Sequence, residues 1–119
     1  MLLSINPQHV EKILNGTKRF EFRKVRSRHD VRRIVIYSTS PVGQVVGEVE
    51  VVGTVDGPPS DVWEYTGAHS GISKQFFDDY YCGRQRAVAY ELGAVSVYPR
   101  PKTLMELGIR AAPQSFVYV

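Results

Sequence analysis

Apolar and polar positions change rhythm several times along the chain, and each change predicts an element. Leu2 to Ile5 is a short apolar run of strand character. Asn6 suits an N-cap, Pro7 the first helical position, and Val10, Ile13 and Leu14 recur at helical spacing until Gly16 offers a left-handed stop. From Lys18 to Lys24 the rhythm becomes alternation, with Phe20 and Phe22 on one side and Arg19, Glu21 and Arg23 on the other. Arg33 to Ser38 predicts a second apolar strand, followed by a turn over Thr39 to Gly43. A longer strand over Val45 to Val55 sets Val45, Val49, Val51 and Val55 on the same parity as Gly47 and Gly53, opposite Glu48, Glu50 and Thr54. Those glycines predict the bends or bulges that curl a small barrel.

Pro58 and Pro59 end that strand, and Ser60 is the expected cap of a short helix carrying Val62, Trp63 and Tyr65, with Trp63 in the core. Ser73 caps a second helix. Its Phe76, Phe77, Tyr80 and Tyr81 recur at i, i+1, i+4 and i+5, a stripe that reads as packing rather than as a stacking surface. Ala87 to Leu92 and Ala94 to Tyr98 read as two strand pieces around Gly93. Thr103 and Glu106 fit a capping box, and Phe116 to Val119 can close the sheet. The expected architecture is an α+β fold in a single domain over residues 1–119: a small, partly open β-barrel of five or six strands with short helices around it.

With 43% hydrophobic, 11% aromatic and 23% charged residues, the chain can fill a core, which excludes disordered, collagen-like and coiled-coil classes. No apolar run approaches the roughly 20 residues of a membrane helix, and Met1 to Ile5 is too short for a signal-peptide core, so the expected location is cytoplasmic with no membrane partner. The single cysteine, Cys82, reads as an inert small side chain, and the three scattered histidines have no ligand spacing, so neither a metal nor another cofactor is expected. Charge is segregated: residues 1–33 carry a net +6 and residues 34–81 a net −6. The basic first quarter points toward an anionic partner.

Generic catalytic and phosphate-binding motifs are absent. The informative segment is Gly16-Thr17-Lys18-Arg19-Phe20-Glu21-Phe22-Arg23-Lys24, where a helix stop feeds a strand dense in charge. A carboxylate among cations suits Glu21 to orient, to accept hydrogen bonds or to act as a base rather than as an acid. Lys18 and Arg23 would hold an anion from exposed positions, and Arg19 and Lys24 extend the same cationic strand.

Gly16, Lys18, Glu21 and Arg23 fit the G-x-K-x-x-E-x-R motif of the ASCH domains, a branch of the PUA-like superfamily, which the chain resembles over nearly its whole length. Further blocks carry the resemblance: Leu3-Ser4-Ile5 with Pro7, Ile36 to Val42, Val46-Gly47-Glu48, Ser70-Gly71-Ile72 and Pro113-Gln114-Ser115-Phe116. It implies a small barrel with a cleft between barrel and helices, lined by Lys18, Glu21 and Arg23, with Tyr37, Ser38 and Ser40 as neighbours. It also implies binding of RNA or of a nucleotide or nucleoside, in translation, transcription or RNA metabolism. Some members are hydrolases, either amidohydrolases on acylated cytidine nucleosides or ribonucleases. In the amidohydrolase branch the position of Glu21 holds a nucleophilic threonine, so that mechanism does not transfer, whereas Lys18 and Glu21 together could activate water. A third class is a protein-interaction accessory domain that uses the acidic segment Asp56 to Asp79.

Overall fold

The computed structural model describes every residue, Met1–Val119. The elements run β1 (Leu2–Ile5), α1 (Pro7–Leu14), β2 (Phe20–Arg23), β3 (Arg33–Ser38), β4 (Gln44–Gly57), α2 (Pro59–Thr66), α3 (Lys74–Tyr80), β5 (Ala87–Lys102) and β6 (Phe116–Val117). All six strands form one sheet in the order β2-β5-β4-β3-β1-β6, curled into a half-barrel with three helices around it. Only β1 and β3 run parallel, with Leu2 beside Val35 and Ile5 beside Ser38; every other pairing is antiparallel. A parallel pair requires a crossover, and here α1 and β2 lie between the two strands in sequence.

The local signals act as their chemistry dictates. The Asn6 side chain accepts a hydrogen bond from the Gln8 N–H, Pro7 opens α1, and Gly16 turns the chain at φ +84°. In the capping box, the Thr103 N–H donates to Glu106 at 2.8 Å and the Glu106 N–H donates to Thr103 at 3.2 Å. The curl accompanies register shifts in the β4–β5 pairing, between Val45 and Gly47, Val49 and Val51, and Val51 and Gly53 of β4, the region where the glycines predict it.

Two expectations are corrected. Helix α2 begins at Pro59 with Pro58 in the cap position and no side-chain cap, so Ser60 lies inside the first turn. A proline at the first helical position has no N–H to satisfy, which removes part of the need for a capping oxygen. Strand β5 is one continuous 16-residue strand through Gly93. The pairing still slips there: Val49 faces Val95 but Val51 faces Leu92, so β5 carries one extra residue beside Gly93 without ending, and a Cβ at Gly93 would meet the Val52 side chain at 2.7 Å.

Two buried clusters meet under the helices. An aliphatic one packs Val10 and Ile13 of α1 against Leu3, Ile34, Ile36, Val49 and Leu92 of the sheet. An aromatic one packs Phe20 and Phe22 of β2 against Val62 of α2 and Phe77 and Tyr81 at α3. Trp63 is half-buried and stacks at a tilt on Phe77, with ring centroids 4.9 Å apart. The open seam of the half-barrel, between β2 and the β1–β6 end, is bridged by side chains. Arg23 reaches from β2 to the Ser4 carbonyl of β1, and the Ser27 and Tyr118 hydroxyls meet at 2.7 Å.

Candidate functional site

Where α1, β2 and α3 converge, the two clusters leave a cleft of about 240 Å³. Lys18, Glu21 and Arg23 all line it, as the resemblance implies, but they are not exposed. Lys18 retains 2% of its accessible surface, and the side chains of Glu21 and Arg23 keep 9% and 13%. Helices α1 and α3 and the Ser70–Ile72 loop close over the motif, so its charged side chains face a cleft instead of open solvent.

The loop between α2 and α3 holds Lys18 in place. Its Nζ donates to the Ser70 carbonyl at 2.8 Å and sits over the Phe22 ring, 4.9 Å from the centroid. Ser70 is itself fixed: its one hydroxyl proton lies between the Gly67 and Ile72 carbonyls, and its oxygen accepts from the Ile72 N–H. Gly71 passes so close that a Cβ would meet the Lys18 Cβ at 2.7 Å, and its φ of +71° also calls for glycine. The Ser70-Gly71-Ile72 block is therefore a seat for Lys18. Burial pulls the Lys18 ammonium down to about 8, helped by Lys12 and Arg23 and opposed by Glu21. An ammonium has three N–H donors, so two remain free of the Ser70 contact.

Arg23 is committed to the protein. Its Nη2 donates to Glu21 Oε2 at 3.0 Å and to the Ser4 carbonyl at 3.2 Å, while Nε is buried without a partner. The carboxylate of Glu21 makes only that one bond, which leaves Oε1 without a protein partner. The cleft thus sets a cationic donor, Lys18, and an anionic acceptor, Glu21 Oε1, beside apolar walls of Ile5, Phe22, Ile72, Phe76 and Tyr80.

The other expected site residues lie outside the cleft. Arg19 is exposed and donates from Nε to the Leu92 carbonyl at 3.3 Å. Lys24 stands on the outer rim, its Nζ 4.8 Å from the Tyr80 ring centroid. Tyr37 and Ser38 pair with Ser4 and Ile5 of β1, one strand removed from the cleft, and Ser40 is exposed in the turn after β3. Charge segregation along the sequence is partly offset in space. Arg26 pairs with Asp56, which Arg86 also holds, and Arg33 pairs with Glu48, so two basic residues of the first quarter meet acids of the middle segment.

Three contributors carry no motif. His9 enters from α1, and Phe76 and Tyr80 enter from α3. The aromatic stripe is therefore divided: Phe77 and Tyr81 are core, whereas Phe76, 43% exposed, and Tyr80 form a cleft wall. The spacing held the signal, because i and i+4 with i+1 and i+5 make two adjacent rows on a helix, more than one buried stripe requires.

The ASCH domain model matches residues 3–92. The chain belongs to the ASCH domain family. The crystal structure of ASCH from Zymomonas mobilis superposes on this ASCH domain with a TM-score of 0.90 at 29% identity, covering 99% of this chain and 85% of that one. A relative named ASCH domain-containing ribonuclease, from Zymomonas mobilis subsp. mobilis, is 32% identical over 92 residues, 76% of this chain and 62% of that protein. Large ribosomal subunit protein uL22 of Ureaplasma parvum serovar 3 is 30% identical over 120 residues, and the chain spans only 39% of its length. No helix of this ASCH domain is long and apolar enough to cross a membrane.

Proposed function

We propose that this ASCH domain binds single-stranded RNA and takes one unpaired nucleotide at a time into the cleft. The observation that carries the reading is that Lys18, with free N–H donors, and Glu21, with Oε1 free as an acceptor, line one cleft with aromatic walls. A phosphate offers only acceptors and would set its oxygens against the Glu21 carboxylate. A nucleobase edge presents donors beside acceptors and satisfies both groups, while its faces suit Phe76 and Tyr80. The cleft is smaller than the roughly 300–1,000 Å³ of drug-sized pockets, which fits a single base rather than a duplex. RNA as the polymer is supported by the relative named a ribonuclease. The uL22 relative transfers no role, since most of that protein lies outside the match.

A second reading, RNA cleavage, is favoured by the lowered Lys18 ammonium, a better acid than an ordinary lysine. Glu21 Oε1 would remove the proton of a ribose 2′-hydroxyl, and that oxygen would attack the adjacent phosphorus. The bond to the next 5′-oxygen breaks, the leaving oxygen keeps the electron pair and takes a proton from Lys18, and a 2′,3′-cyclic phosphate remains.

The test is anisotropy of a labelled single-stranded RNA together with gel analysis of its products. Binding is expected to weaken with salt at a log–log slope of about −0.7 per phosphate contacted. If the domain cleaves, Glu21→Gln should slow product formation by about a hundredfold. No binding at low salt overturns the RNA reading, and cleavage unchanged in Glu21→Gln overturns the role given to that carboxylate.

A further inference from the structure

His9 lies outside the motif, yet it is held as a built part of the cleft. Its ring meets Phe76 edge to face, with centroids 5.3 Å apart and planes at 72°. Nδ1 is buried without a hydrogen-bond partner, and no protein group bonds the other ring nitrogen, Nε2, which is not buried in the same way. An apolar ring would fill this place without leaving a buried nitrogen unpaired, so filling space alone does not account for a histidine.

The protonation state follows from the surroundings. An imidazolium would need a buried, unpartnered N–H at Nδ1. Burial, Lys18 and Lys12 all lower the pKa of His9, and Glu21, the one group opposing them, does not reverse the direction. In the neutral ring a buried bare lone pair is tolerated better than a buried orphan N–H, which leaves Nδ1 bare and the proton on Nε2. His9 is thus a single donor beside the donor Lys18 and the acceptor Glu21 Oε1.

We propose that His9 is a specificity-determining residue of the cleft, donating from Nε2 to the edge of a pyrimidine base. Taken group by group, the donors Lys18 and His9 with the acceptor Glu21 Oε1 match a base edge that presents two acceptors and one donor. Uracil supplies O4, N3–H and O2, and cytosine supplies N4–H, N3 and O2. The Watson–Crick edge of guanine has one acceptor and two donor positions, and that of adenine has one of each. This inference rests on the RNA reading above and deepens it.

The experiment measures the affinity of the full chain for hexauridylate, hexacytidylate and hexaadenylate, and for the four ribonucleoside 3′-monophosphates. The wild type should prefer pyrimidines by about tenfold or more. His9→Phe keeps a ring against Phe76 and removes both nitrogens, and it should erase that preference while adenylate affinity changes little. His9→Gln, which returns a donor near Nε2, should regain part of it. In the wild type, addition of uridine monophosphate should shift the ring-nitrogen resonances of His9, and ribose 5-phosphate should not; this readout needs no variant. A pyrimidine preference that persists in His9→Phe, equal weakening toward all bases, or unmoved nitrogen resonances would overturn the proposal. RNA binding with no base preference in the wild type defeats the role of His9 alone, whereas no binding at all defeats the RNA reading with it.

Discussion

Helices α1 and α3 face each other across the cleft, and they are built from different materials. Helix α1 is capped by Asn6, rests on aliphatic Val10 and Ile13, and offers the cleft polar Asn6, Gln8 and His9. Helix α3 is capped by Ser73, rests on Phe77 within an aromatic cluster, and offers Phe76 and Tyr80. Each helix has one row that anchors it and a neighbouring row that faces the cleft. Residues adjacent in sequence should therefore fail in different ways: one by unfolding, the other by losing binding.

The largest expected effect tests the anchors. Phe77 is 1% exposed and touches the rings of Phe22, Trp63 and Tyr81. Phe77→Ala should cost about 3–5 kcal/mol in urea unfolding, and Ile13→Ala in the aliphatic cluster about 2–5 kcal/mol. If the two clusters are independent, the double variant should lose the sum to within about 0.5 kcal/mol. A coupling clearly larger than that would make the two cores one and remove the basis of the comparison.

Next comes the seam that joins the two halves. Arg23 links Glu21, the Ser4 carbonyl and, at 3.5 Å, the Ser115 hydroxyl, so it fastens β2 to β1 and to the chain before β6. Arg23→Ala leaves the Glu21 carboxylate buried and unpaired and should cost about 3 kcal/mol. Adding Glu21→Gln to that variant removes the stranded charge and should restore part of the loss. If Arg23→Ala melts like the wild type yet loses RNA, Arg23 grips a ligand and does not serve as the clamp.

The sequence made much of this fold legible where one residue type has one local use. Asn6, Pro7, Gly16, Ser73 and the Thr103–Glu106 pair all act within a turn or two of their own backbone, so spacing alone finds them. The motif residues Lys18, Glu21 and Arg23 were legible for the same reason, being near neighbours on one strand. Their burial was not legible, because it depends on the packing of α1 and α3 over the cleft and on the Ser70–Gly71 seat more than fifty residues away. Tyr37, Ser38 and Ser40 show the reverse. They sit at the end of a strand next to the cleft strand, a displacement that only the pairing of β1 with β3 reveals. His9 was hidden because its partners, Phe76 and Lys18, come from other elements.

A smaller effect should separate Phe76 from its neighbour Phe77. Phe76 is 43% exposed, so Phe76→Ala should change stability by less than about 1 kcal/mol. A base stacked on it should lose about 1–3 kcal/mol of binding, read by anisotropy with single-stranded RNA. Should Phe76→Ala unfold the domain as Phe77→Ala does, the division of α3 into an anchoring row and a cleft row is wrong.

The smallest effect concerns the charge at the centre of the cleft and runs in opposite directions for folding and for binding. In the folded chain Lys18 releases its proton near pH 8, whereas the unfolded chain keeps it until its ordinary value of 10.5. Below pH 8 both states are protonated and the burial penalty is present in full. Between pH 8 and 10.5 the unfolded state binds more protons, so stability rises with pH. Tyr80 and Tyr81 work against this above pH 10, since burial raises both and only the unfolded chain ionises them at their ordinary value. The clean window is pH 8 to 10, and the rise there should be about 1–2 kcal/mol in urea unfolding. Lys18→Met should flatten it. RNA binding should fall over the same window, because a neutral amine no longer attracts the strand. A stability curve that Lys18→Met leaves unchanged would show that the ammonium is well solvated and that Ser70 and Gly71 do not seat it in a dry cleft.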